Sequence, residues 1–421
     1  MTLERWLRYI ESVHFRSIDL ELDRVSTVLL RVLPNGPGFC SISVAGTNGK
    51  GSAVEVLTSI LCQTGVRVGT YTSPHLVNYT ERIRIDGYEV DEKELCAAFA
   101  RIEEERWETP LTYFEFGTLA ALIIFEERGI DVAVLEVGMG GRLDAVNAVD
   151  ASAALITSIS IDHEHWLGKD RESIAIEKTG IFRPGKPAVC ADPDPPAAIR
   201  ERANSIGADF YQLGRDYDMI ESGSGWQWSG PKGRFGSLRL PMEGKFQANN
   251  VAGALMVLMC IDPIVQINQE QISKGLSSLR LRGRFEIMEG PPQIVLDVAH
   301  NMAAIRVLYE NLKKHVCPGR TFAVCGMLKD KPARAIGELL NPVIDEWHVG
   351  TIHDPRGRSA EELAAEISAT SSSPVSSHDS VLSAFRAARC AANPTDRVLV
   401  FGSFHTVGDI IRALEGDGVL Y

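Results

Sequence analysis

The chain has 421 residues, 45% hydrophobic and 23% charged, which is the composition of a globular protein of about two or three domains. Its net charge is −12, from 43 basic and 55 acidic residues, which argues against non-specific nucleic-acid binding. Residues 1–10 mix charges into an apolar pattern and no long uncharged run follows, so we expect neither signal peptide nor membrane span and a cytoplasmic location.

The N-terminal segment predicts structure but no function. Apolar residues recur at helical spacing between residues 3 and 14, and a polar stretch with Asp19 and Asp23 follows. Carboxylates in such a place are typical of a solvated surface or a helix cap. The eight cysteines are scattered without a C-x-x-C pair, which favours reduced thiols over disulfides or zinc ligands.

A glycine-rich turn at residues 46–52 is the first motif that carries chemistry. It follows an apolar run at residues 40–45 and opens a helix. Its three glycines let several backbone N–H groups point at one spot, the helix adds its positive end, and Lys50 adds a charge. The motif therefore predicts a phosphate-binding loop, although Gly51 separates Lys50 from the hydroxyl of Ser52, unlike in the standard P-loop. An ordinary glycine turn is the alternative.

Three side chains suited to a metal ion follow predicted strands. Ser73 follows a strand at residues 66–70, in a strand–loop–helix–strand order that predicts a parallel sheet with ligands at its carboxyl edge. Glu136 lies near the end of an apolar strand, where a carboxylate is costly unless it is paired or binds metal. His163 and His165 lack the further N or S ligands that zinc requires, so we expect His163 in a site with oxygen ligands. The alternatives to metal binding are that Ser73 only starts a turn and that Glu136 forms a structural ion pair.

The second half of the chain changes pattern twice. Alternation over residues 211–246 predicts a short β-meander, and the following helix carries Asn250 in its first turn. A basic segment near Gly283 then precedes a new series of strands and helices, so we place the domains at residues 1–283 and 284–421. The predicted fold class is α/β, with an N-terminal P-loop ATPase-like domain, built on a mostly parallel sheet plus the meander, and a C-terminal Rossmann-like domain.

Eight motifs, in order along the chain, resemble the bacterial dihydrofolate synthase/folylpolyglutamate synthase family of the Mur ligase superfamily. They are residues 46–52, 73–76, 143–145, 162–163, 177–182, 283–285, 297–301 and 401–407. The resemblance covers essentially the whole chain. It implies an ATP-dependent ligase that adds L-glutamate to dihydropteroate and further glutamates to reduced folates through an acyl phosphate.

The resemblance also implies roles for particular residues. The ATP-binding residues are Thr47, Asn48, Gly49, Lys50, Gly51, Ser52, Asn250, Arg284 and Asp297. Two Mg²⁺ sites are expected, with ligands Ser73, Glu136, His163 and a Lys178 that CO₂ has converted to a carbamate. The pterin-binding residues are Ile18, Asp19, Leu20, Thr112, Leu143, Asp144 and Ala145. His300 and Ser403 are expected to bind glutamate, and Lys50, Lys178 and His300 to act in catalysis.

Several alternatives stay open from the sequence. The pterin segments favour a bifunctional enzyme over a folylpolyglutamate synthase alone, and a Mur-type ligase for another acceptor is a close rival. More distant alternatives are a P-loop kinase and a non-catalytic nucleotide-binding module. Without the resemblance, Lys178 is typical of a surface lysine near a helix end. We expect a monomer whose partners are small molecules only, with no nucleic acid and no membrane.

Overall fold

A computed structural model describes residues 1–16, 18–223, 225–240, 244–261, 264–288 and 290–416. The chain forms two compact units. The first unit contains Met1–Pro74 and Tyr79–Arg280, and the second contains His75–Asn78 and Leu281–Tyr421. No helix within the described ranges combines the length and the apolar character needed to cross a bilayer.

The first unit contains both helices and strands. Its helices are α1 (Leu3–Val13), α2 (Asp23–Val32), α3 (Lys50–Leu61), α4 (Glu92–Arg106), α5 (Tyr113–Glu127), α6 (Glu164–Leu167), α7 (Arg171–Lys178), α8 (Ala197–Ile206), α9 (Lys245–Cys260) and α10 (Gln269–Ser278). Short 3₁₀ turns occupy Tyr79–Arg82, Ala145–Ala148 and Thr179–Ile181. Its strands are β1 (Cys40–Ala45), β2 (Val68–Tyr71), β3 (Ile83–Ile85), β4 (Tyr88–Glu89), β5 (Val132–Glu136), β6 (Ala153–Ile156), β7 (Pro187–Cys190), β8 (Asp209–Gln212), β9 (Asp218–Ser222), β10 (Gly225–Gly230) and β11 (Gly233–Leu238).

An eight-stranded sheet forms the centre of this unit, in the order β4-β3-β2-β5-β1-β6-β7-β8. Six neighbouring strands run parallel, namely β2, β5, β1, β6, β7 and β8. Strands β3 and β4 add an antiparallel edge next to β2. Strands β5 and β6 are buried along their whole length, which matches their apolar sequences. Strands β9, β10 and β11 form a separate antiparallel sheet, which is the predicted meander. The mostly parallel central sheet of the prediction is confirmed.

Local sequence explains how the two helices nearest the carboxyl edge begin. Helix α3 begins directly after Gly49, whose φ of +89° suits glycine and turns the chain from the loop into the helix. Helix α5 begins with a capping box, in which Thr112 and Glu115 each accept a hydrogen bond from the other residue's backbone N–H. Both helices are apolar and largely buried, so they pack against the sheet with little exposed surface.

From the sequence, residues 153–160 are expected to form one buried strand, and the observed strand is shorter. Strand β6 ends at Ile156, and the next four residues leave the ladder after the N–H of Thr157, which still donates to the carbonyl of Ala45. Their polar groups bind the glycine-rich loop instead, since Thr157 and Ser158 both donate side-chain hydrogen bonds to the carbonyl of Asn48. The alternation of Ile and Ser in this segment resembles a strand, but its hydroxyls bind the loop, and the backbone of Ile159 is paired with side chains instead of a neighbouring strand.

The second unit is a smaller α/β layer structure. Its strands are β12 (Glu286–Met288), β13 (Gln293–Asp297), β14 (Thr321–Cys325), β15 (Glu346–Gly350), β16 (Val375–His378) and β17 (Arg397–Phe401). Its helices are α11 (Met302–Lys314), α12 (Ala333–Leu340), α13 (Ala360–Ser368), α14 (Val381–Ala391) and α15 (Phe404–Gly416), with a 3₁₀ turn at Asn341–Val343. The sheet order is β12-β13-β17-β14-β15-β16, in which β12 is antiparallel to β13 and the other neighbours run parallel. The predicted second α/β domain is confirmed.

A short segment from early in the chain belongs to this second unit. Leu76 and Val77 pack against its apolar core. The carbonyl oxygen of Leu76 lies against α15 so closely that a Cβ atom on Gly408 would come within 2.0 Å of it. Arg412 also donates a hydrogen bond of 3.2 Å to the carbonyl of Val77. The polypeptide therefore passes between the two units three times rather than once.

Candidate functional site

The phosphate loop connects β1 to α3 at the carboxyl edge of the first sheet. Gly46 and Gly49 both have positive φ values, +149° and +89°, which glycine adopts without strain. A Cβ atom on Gly46 would lie 1.9 Å from Oγ1 of Thr157, so the position excludes any side chain. The loop therefore has the tight backbone that aims N–H groups at a phosphate, followed by the N-terminus of a 12-residue helix.

Residues 157–160 form a scaffold under this loop. The backbone N–H of Thr47 donates to the carbonyl of Ser158 at 2.6 Å. The hydroxyl of Thr47 donates to the carbonyl of Ser160 at 2.9 Å and accepts from its N–H at 3.0 Å. The hydroxyl of Ser158 donates to the carbonyl of Asn48 at 3.0 Å. Thr47 and Asn48 are thus fixed by the scaffold, which sequence reasoning did not identify.

Two lysine amines meet at one backbone oxygen of the loop. The Nζ atom of Lys50 lies 3.1 Å from the carbonyl oxygen of Gly46, and the Nζ atom of Lys178 lies 2.8 Å from the same oxygen. Lys178 is the last residue of α7 and is 4% exposed. Two like charges this close in a buried site repel each other, so the site favours either an anionic ligand or the loss of one charge.

The environment of Lys178 lowers its basicity. Burial is the main cause, the positive charge of Lys50 adds to it, and the carboxylates of Asp162 and Asp144 partly oppose it. Together they lower the pKa of Lys178 to about 7. A large fraction of Lys178 is therefore a neutral amine near neutral pH, which is the form that reacts as a nucleophile.

Ser73 and Glu136 lie together at the carboxyl edge of the sheet. Glu136 ends β5 beside Val44 of β1, and it is 5% exposed. One of its carboxylate oxygens accepts a hydrogen bond of 3.2 Å from the backbone N–H of Ser73. On α3, the hydroxyl of Ser52 is buried and has no hydrogen-bond partner among the described residues. Carboxylate and hydroxyl oxygens are the ligands that Mg²⁺ prefers, so the donor set of this edge fits that ion.

His163 stands at the start of the short helix α6, directly after the scaffold. Its φ of +54° is unusual for a residue with a side chain, and its backbone N–H donates to the carboxylate of Asp162 at 2.9 Å. A strained backbone of this kind is more frequent at functional sites than elsewhere. His163 follows the segment after β6 that holds the phosphate loop, and its role as a metal ligand stays a prediction.

Asn250 lies against the phosphate loop from helix α9. It is 2% exposed, and a Cβ atom on Gly49 would come within 2.5 Å of its Oδ1 atom. Its amide Nδ2 donates to Gln247 at 3.2 Å. The prediction placed Asn250 in the first turn of its helix, which is wrong, because α9 begins at Lys245 and Asn250 lies in the second turn. The contact with Gly49 still places its amide beside the loop.

We expect Gly49→Ala to raise the KM for ATP by about tenfold or more, since the added methyl group displaces either Asn250 or the loop. The matched control is Gly65→Ala. Gly65 has nearly the same φ, +86°, but a methyl group there would meet no described atom within 4 Å, so this variant has the backbone strain without the clash. Steady-state kinetics of both variants are compared, and equal KM values for ATP would contradict the prediction.

The predicted residues of the second unit lie near the carboxyl ends of its strands. Asp297 ends β13, and its two oxygens accept hydrogen bonds from the N–H groups of Phe285 and Ala299 at 2.9 and 2.8 Å. Burial raises the pKa of Asp297 to about 6, although those bonds and the charge of Arg284 oppose the rise. Nδ1 of His300 lies 2.8 Å from the carbonyl of Val298.

Ser403 has a clear structural role at the start of α15. Its hydroxyl accepts from the N–H of Thr406 and donates to the hydroxyl of Thr406, both at 2.9 Å. Thr406 in turn donates to the carbonyl of Gly326. This hydroxyl therefore both donates and accepts within the cap of α15.

The segments predicted to bind pterin are held by a network of charges. Asp19 accepts from Nη1 of Arg24 at 3.1 Å, and its carboxylate lies 3.4 Å from Nε2 of the buried His14. Nη2 of Arg24 also donates to Glu115 at 3.2 Å, and Glu115 caps the N-terminus of α5 together with Thr112. The loop that contains Ile18, Asp19 and Leu20 is thereby tied to the predicted pterin residue Thr112.

Asp144 fixes the second glycine-rich turn. Its oxygens accept from the N–H groups of Met139 and Val146 at 2.8 and 3.0 Å, which caps the 3₁₀ turn that follows Leu143 and begins at Ala145. Burial raises its pKa to about 6. A Cβ atom on Gly141 would lie 2.8 Å from the carbonyl of Lys178, so this turn packs directly on the end of α7. The turn and the end of α7 that carries Lys178 are therefore in direct contact.

Both parts of the chain match models of known domains. The Mur ligase middle domain matches residues 44–258, and the Mur ligase glutamate ligase domain matches residues 283–404. A dihydrofolate synthase/folylpolyglutamate synthase of Escherichia coli K12 is 42% identical over 413 residues, which are 98% of this chain and 96% of that protein. The chain belongs to the dihydrofolate synthase/folylpolyglutamate synthase family.

Solved structures of this family support the same assignment. E. coli FolC in complex with DHPP and ADP has a TM-score of 0.94 and 41% identity to this chain, with coverage of 99% of this chain and 98% of FolC. Folylpolyglutamate synthase of Mycobacterium tuberculosis complexed with ADP has a TM-score of 0.89 at 28% identity, with 98% of both chains covered. The predicted family and fold are confirmed over the whole length of the chain.

Proposed function

We propose that this chain is an ATP-dependent ligase that joins L-glutamate to dihydropteroate and then adds further glutamates to reduced folates. The observation that carries the proposal is the meeting of Lys50 and Lys178 at the carbonyl of Gly46, in a chain 42% identical to a bifunctional relative. Relatives of the same family have been solved with ADP, with DHPP and with L-glutamate. These ligands are the substrate classes that the proposal requires.

The proposed chemistry activates a carboxylate with ATP. The γ-phosphoryl group passes to the acceptor carboxylate, which gives an acyl phosphate and ADP, and the amine of glutamate then attacks the acyl carbon and releases phosphate. The N–H groups of the loop and the N-terminus of α3 bind the phosphates. Lys50 stabilises negative charge on the transferring group. The buried scaffold holds the loop in one conformation, so little reorganisation is needed when charge develops.

The residues at the carboxyl edge fit a magnesium site. Ser73, Glu136 and His163 would hold the ion, and the buried hydroxyl of Ser52 offers a further oxygen. When bound, Mg²⁺ would neutralise charge on the phosphates and orient them. The backbone N–H of Ser73 donates to the carboxylate of Glu136 at the end of β5, and this contact supports the assignment. Two such ions are proposed, in line with the family.

A carbamate on Lys178 is part of the proposal. The neutral amine attacks CO₂, a new N–C bond forms, one proton is released, and the side chain becomes an anion. The charge of Lys50 favours this change, because it repels the protonated amine of Lys178 and attracts the anion that replaces it. The product would supply a carboxylate ligand for the second Mg²⁺.

The acceptor and glutamate sites are the finer part of the proposal. Ile18, Asp19, Leu20, Thr112, Leu143, Asp144 and Ala145 are proposed to bind the pterin, and His300 and Ser403 the incoming glutamate. The link from Asp19 through Arg24 and Glu115 to Thr112 supports the first assignment. Roles for Arg284 and Asp297 in ATP binding, a monomeric state and a cytoplasmic location stay predictions.

We expect Arg24→Met to raise the KM for dihydropteroate by about tenfold with a much smaller effect on kcat. The side chain of Arg24 is 13% exposed, and its removal releases the loop of Asp19 from α5. The control is Arg31→Met, on the same face of α2 two turns later, where the guanidinium stacks on Trp107 and donates to the carbonyl of Glu105. If both variants shift the KM for dihydropteroate equally, the loop is not part of the acceptor site.

The activity itself is tested by phosphate release from ATP with Mg²⁺ and L-glutamate. Dihydropteroate and a reduced folate monoglutamate are offered in separate reactions, and products are identified by mass. Turnover with both acceptors, each gaining glutamyl residues, supports the bifunctional ligase. Turnover with the folate alone restricts the enzyme to chain extension. No turnover with either acceptor points to another Mur-type acceptor. ADP release that does not depend on glutamate would indicate a kinase.

A further inference from the structure

Ile159, which lies between the two serines of the scaffold under the phosphate loop, is held by a pair of charged side chains. The backbone N–H of Ile159 donates to Oδ2 of Asp192 at 2.8 Å. The carbonyl of Ile159 accepts from Nε of Arg171 at 2.9 Å. The guanidinium of Arg171 also donates to Oδ2 of Asp192 at 3.3 Å. Both backbone groups of Ile159 are thus satisfied by two side chains that contact each other.

Asp192 and Arg171 pair the backbone of Ile159 at the point where hydrogen bonding between the strands ends. The last ladder-type contacts of the segment run from Ala191 N–H to the carbonyl of Ile156 and from Thr157 N–H to the carbonyl of Ala45. Beyond Thr157 the chain leaves the sheet, and a buried backbone group without a partner is costly. Asp192 is only 5% exposed, and its second oxygen accepts from the N–H of Asp194, so its orientation is fixed.

The neighbours of Ile159 on both sides are the groups that hold the phosphate loop. The carbonyl of Ser158 accepts from the N–H of Thr47, and the hydroxyl of Ser158 donates to the carbonyl of Asn48. The carbonyl of Ser160 accepts from the hydroxyl of Thr47, and the N–H of Ser160 donates to that same hydroxyl. A displacement of Ile159 moves both serines, and with them Thr47 and Asn48. Small displacements matter here, because binding of phosphate by several N–H groups requires them to converge on one point.

We infer that Asp192 and Arg171 are positioning residues for the nucleotide, which set the geometry of the phosphate loop through Ile159. The inference rests on the proposed function only in that the loop binds the phosphates of ATP. Asp192 comes from the segment after β7 and Arg171 from the first turn of α7. The loop therefore depends on two residues that lie outside every motif recognised in the sequence.

The test is the affinity for ADP and the kinetics of Asp192→Asn and Arg171→Met. ADP affinity is measured by titration calorimetry, which needs no acceptor substrate. We expect each variant to raise the Kd for ADP and the KM for ATP by about tenfold, the effect of one lost charge-assisted hydrogen bond. The KM for glutamate and kcat are expected to change by less than about threefold. Since both residues act through Ile159, the double variant should be little worse than either single variant.

The chain offers a matched control. Asp194 also pairs with Arg171, at 3.3 Å, but its side chain is 93% exposed, and the backbone N–H of Ile159 is held by Asp192 instead. Asp194→Asn is therefore expected to leave the Kd for ADP unchanged. Arg171→Lys, which retains the charge, should recover part of the affinity that Arg171→Met loses.

The outcomes of these measurements separate the inference from the proposed function. A folded Asp192→Asn with a normal Kd for ADP overturns the inference, and so does a loss of thermal stability with no change in Kd. If Asp192→Asn does not fold, Arg171→Met and Arg171→Lys carry the same test. A wild-type chain that binds no ADP contradicts the proposed function itself, whereas normal ADP binding without ligation contradicts only the choice of substrates.

Discussion

Lys50→Ala is expected to reduce kcat for ATP-dependent ligation by about 10²–10³-fold, the effect of removing one preorganised charge from the transferring phosphate. The Nζ atom of Lys50 lies within 3.3 Å of the carbonyl oxygens of Gly46 and Thr47, so the charge sits inside the loop. Alanine keeps the helix propensity of α3 and leaves the backbone of the loop unchanged. The rate is measured as glutamate-dependent phosphate release with each folate acceptor.

The control for this variant is Lys274→Ala. Lys274 lies on α10 with a side chain 61% exposed, and it pairs with Glu270 one turn earlier. Its replacement removes the same charge and the same number of atoms from a helix, and we expect normal kinetics and an unfolding temperature close to that of the wild type. Near-normal turnover of a folded Lys50→Ala would remove this residue from the mechanism.

Lys178→Met is expected to lower kcat by about 10²-fold or more, because it removes both the amine and the proposed carboxylate ligand. The modification is measured directly. With ¹³C-labelled bicarbonate and Mg²⁺, the wild type should show a carbamate resonance that Lys178→Met lacks. Lys186→Met, which changes an exposed lysine shortly after the same helix, serves as the control and should retain the resonance.

The pH dependence of this modification has a definite sign. Only the neutral amine attacks CO₂, and the pKa of Lys178 is lowered to about 7 by burial and by Lys50. Roughly nine-tenths of the amine is neutral at pH 8, against about one-tenth at pH 6. Carbamate formation at a fixed concentration of dissolved CO₂ should therefore rise between pH 6 and pH 8. A wild-type enzyme that is fully active after removal of CO₂, and shows no resonance, would exclude the carbamate.

The elements that the sequence predicted well are those with strong local patterns. Strand β5 is an apolar run that ends in Glu136, and the glycine-rich loop before Lys50 marks the junction of β1 and α3. Strand β16 was not predicted, because Val375–His378 is a short, polar, partly exposed edge strand without an apolar run. Its existence depends on pairing with β15, which no local pattern reveals.

The sequence predicted the site residues that belong to a local motif. It did not predict contacts between residues that are far apart in the sequence. The roles of Ser158 and Ser160 were missed, because their alternation with isoleucine is the pattern of a strand. The pairing of Arg24 with Glu115 joins residues 91 positions apart and is typical of contacts that only the fold creates. The available signal was the pair of serines after a buried strand, since hydroxyls at a strand end can bind a neighbouring loop.

The three crossings between the units limit how the gene can be divided. A chain cut after Arg280 would leave Leu76 and Val77 without the apolar surface that covers them, and their exposure would favour aggregation. A chain that starts at Leu281 would lack a segment that its own core packs against, next to Gly408 on α15. Neither half is therefore a natural unit for separate expression, domain exchange or circular permutation at this boundary.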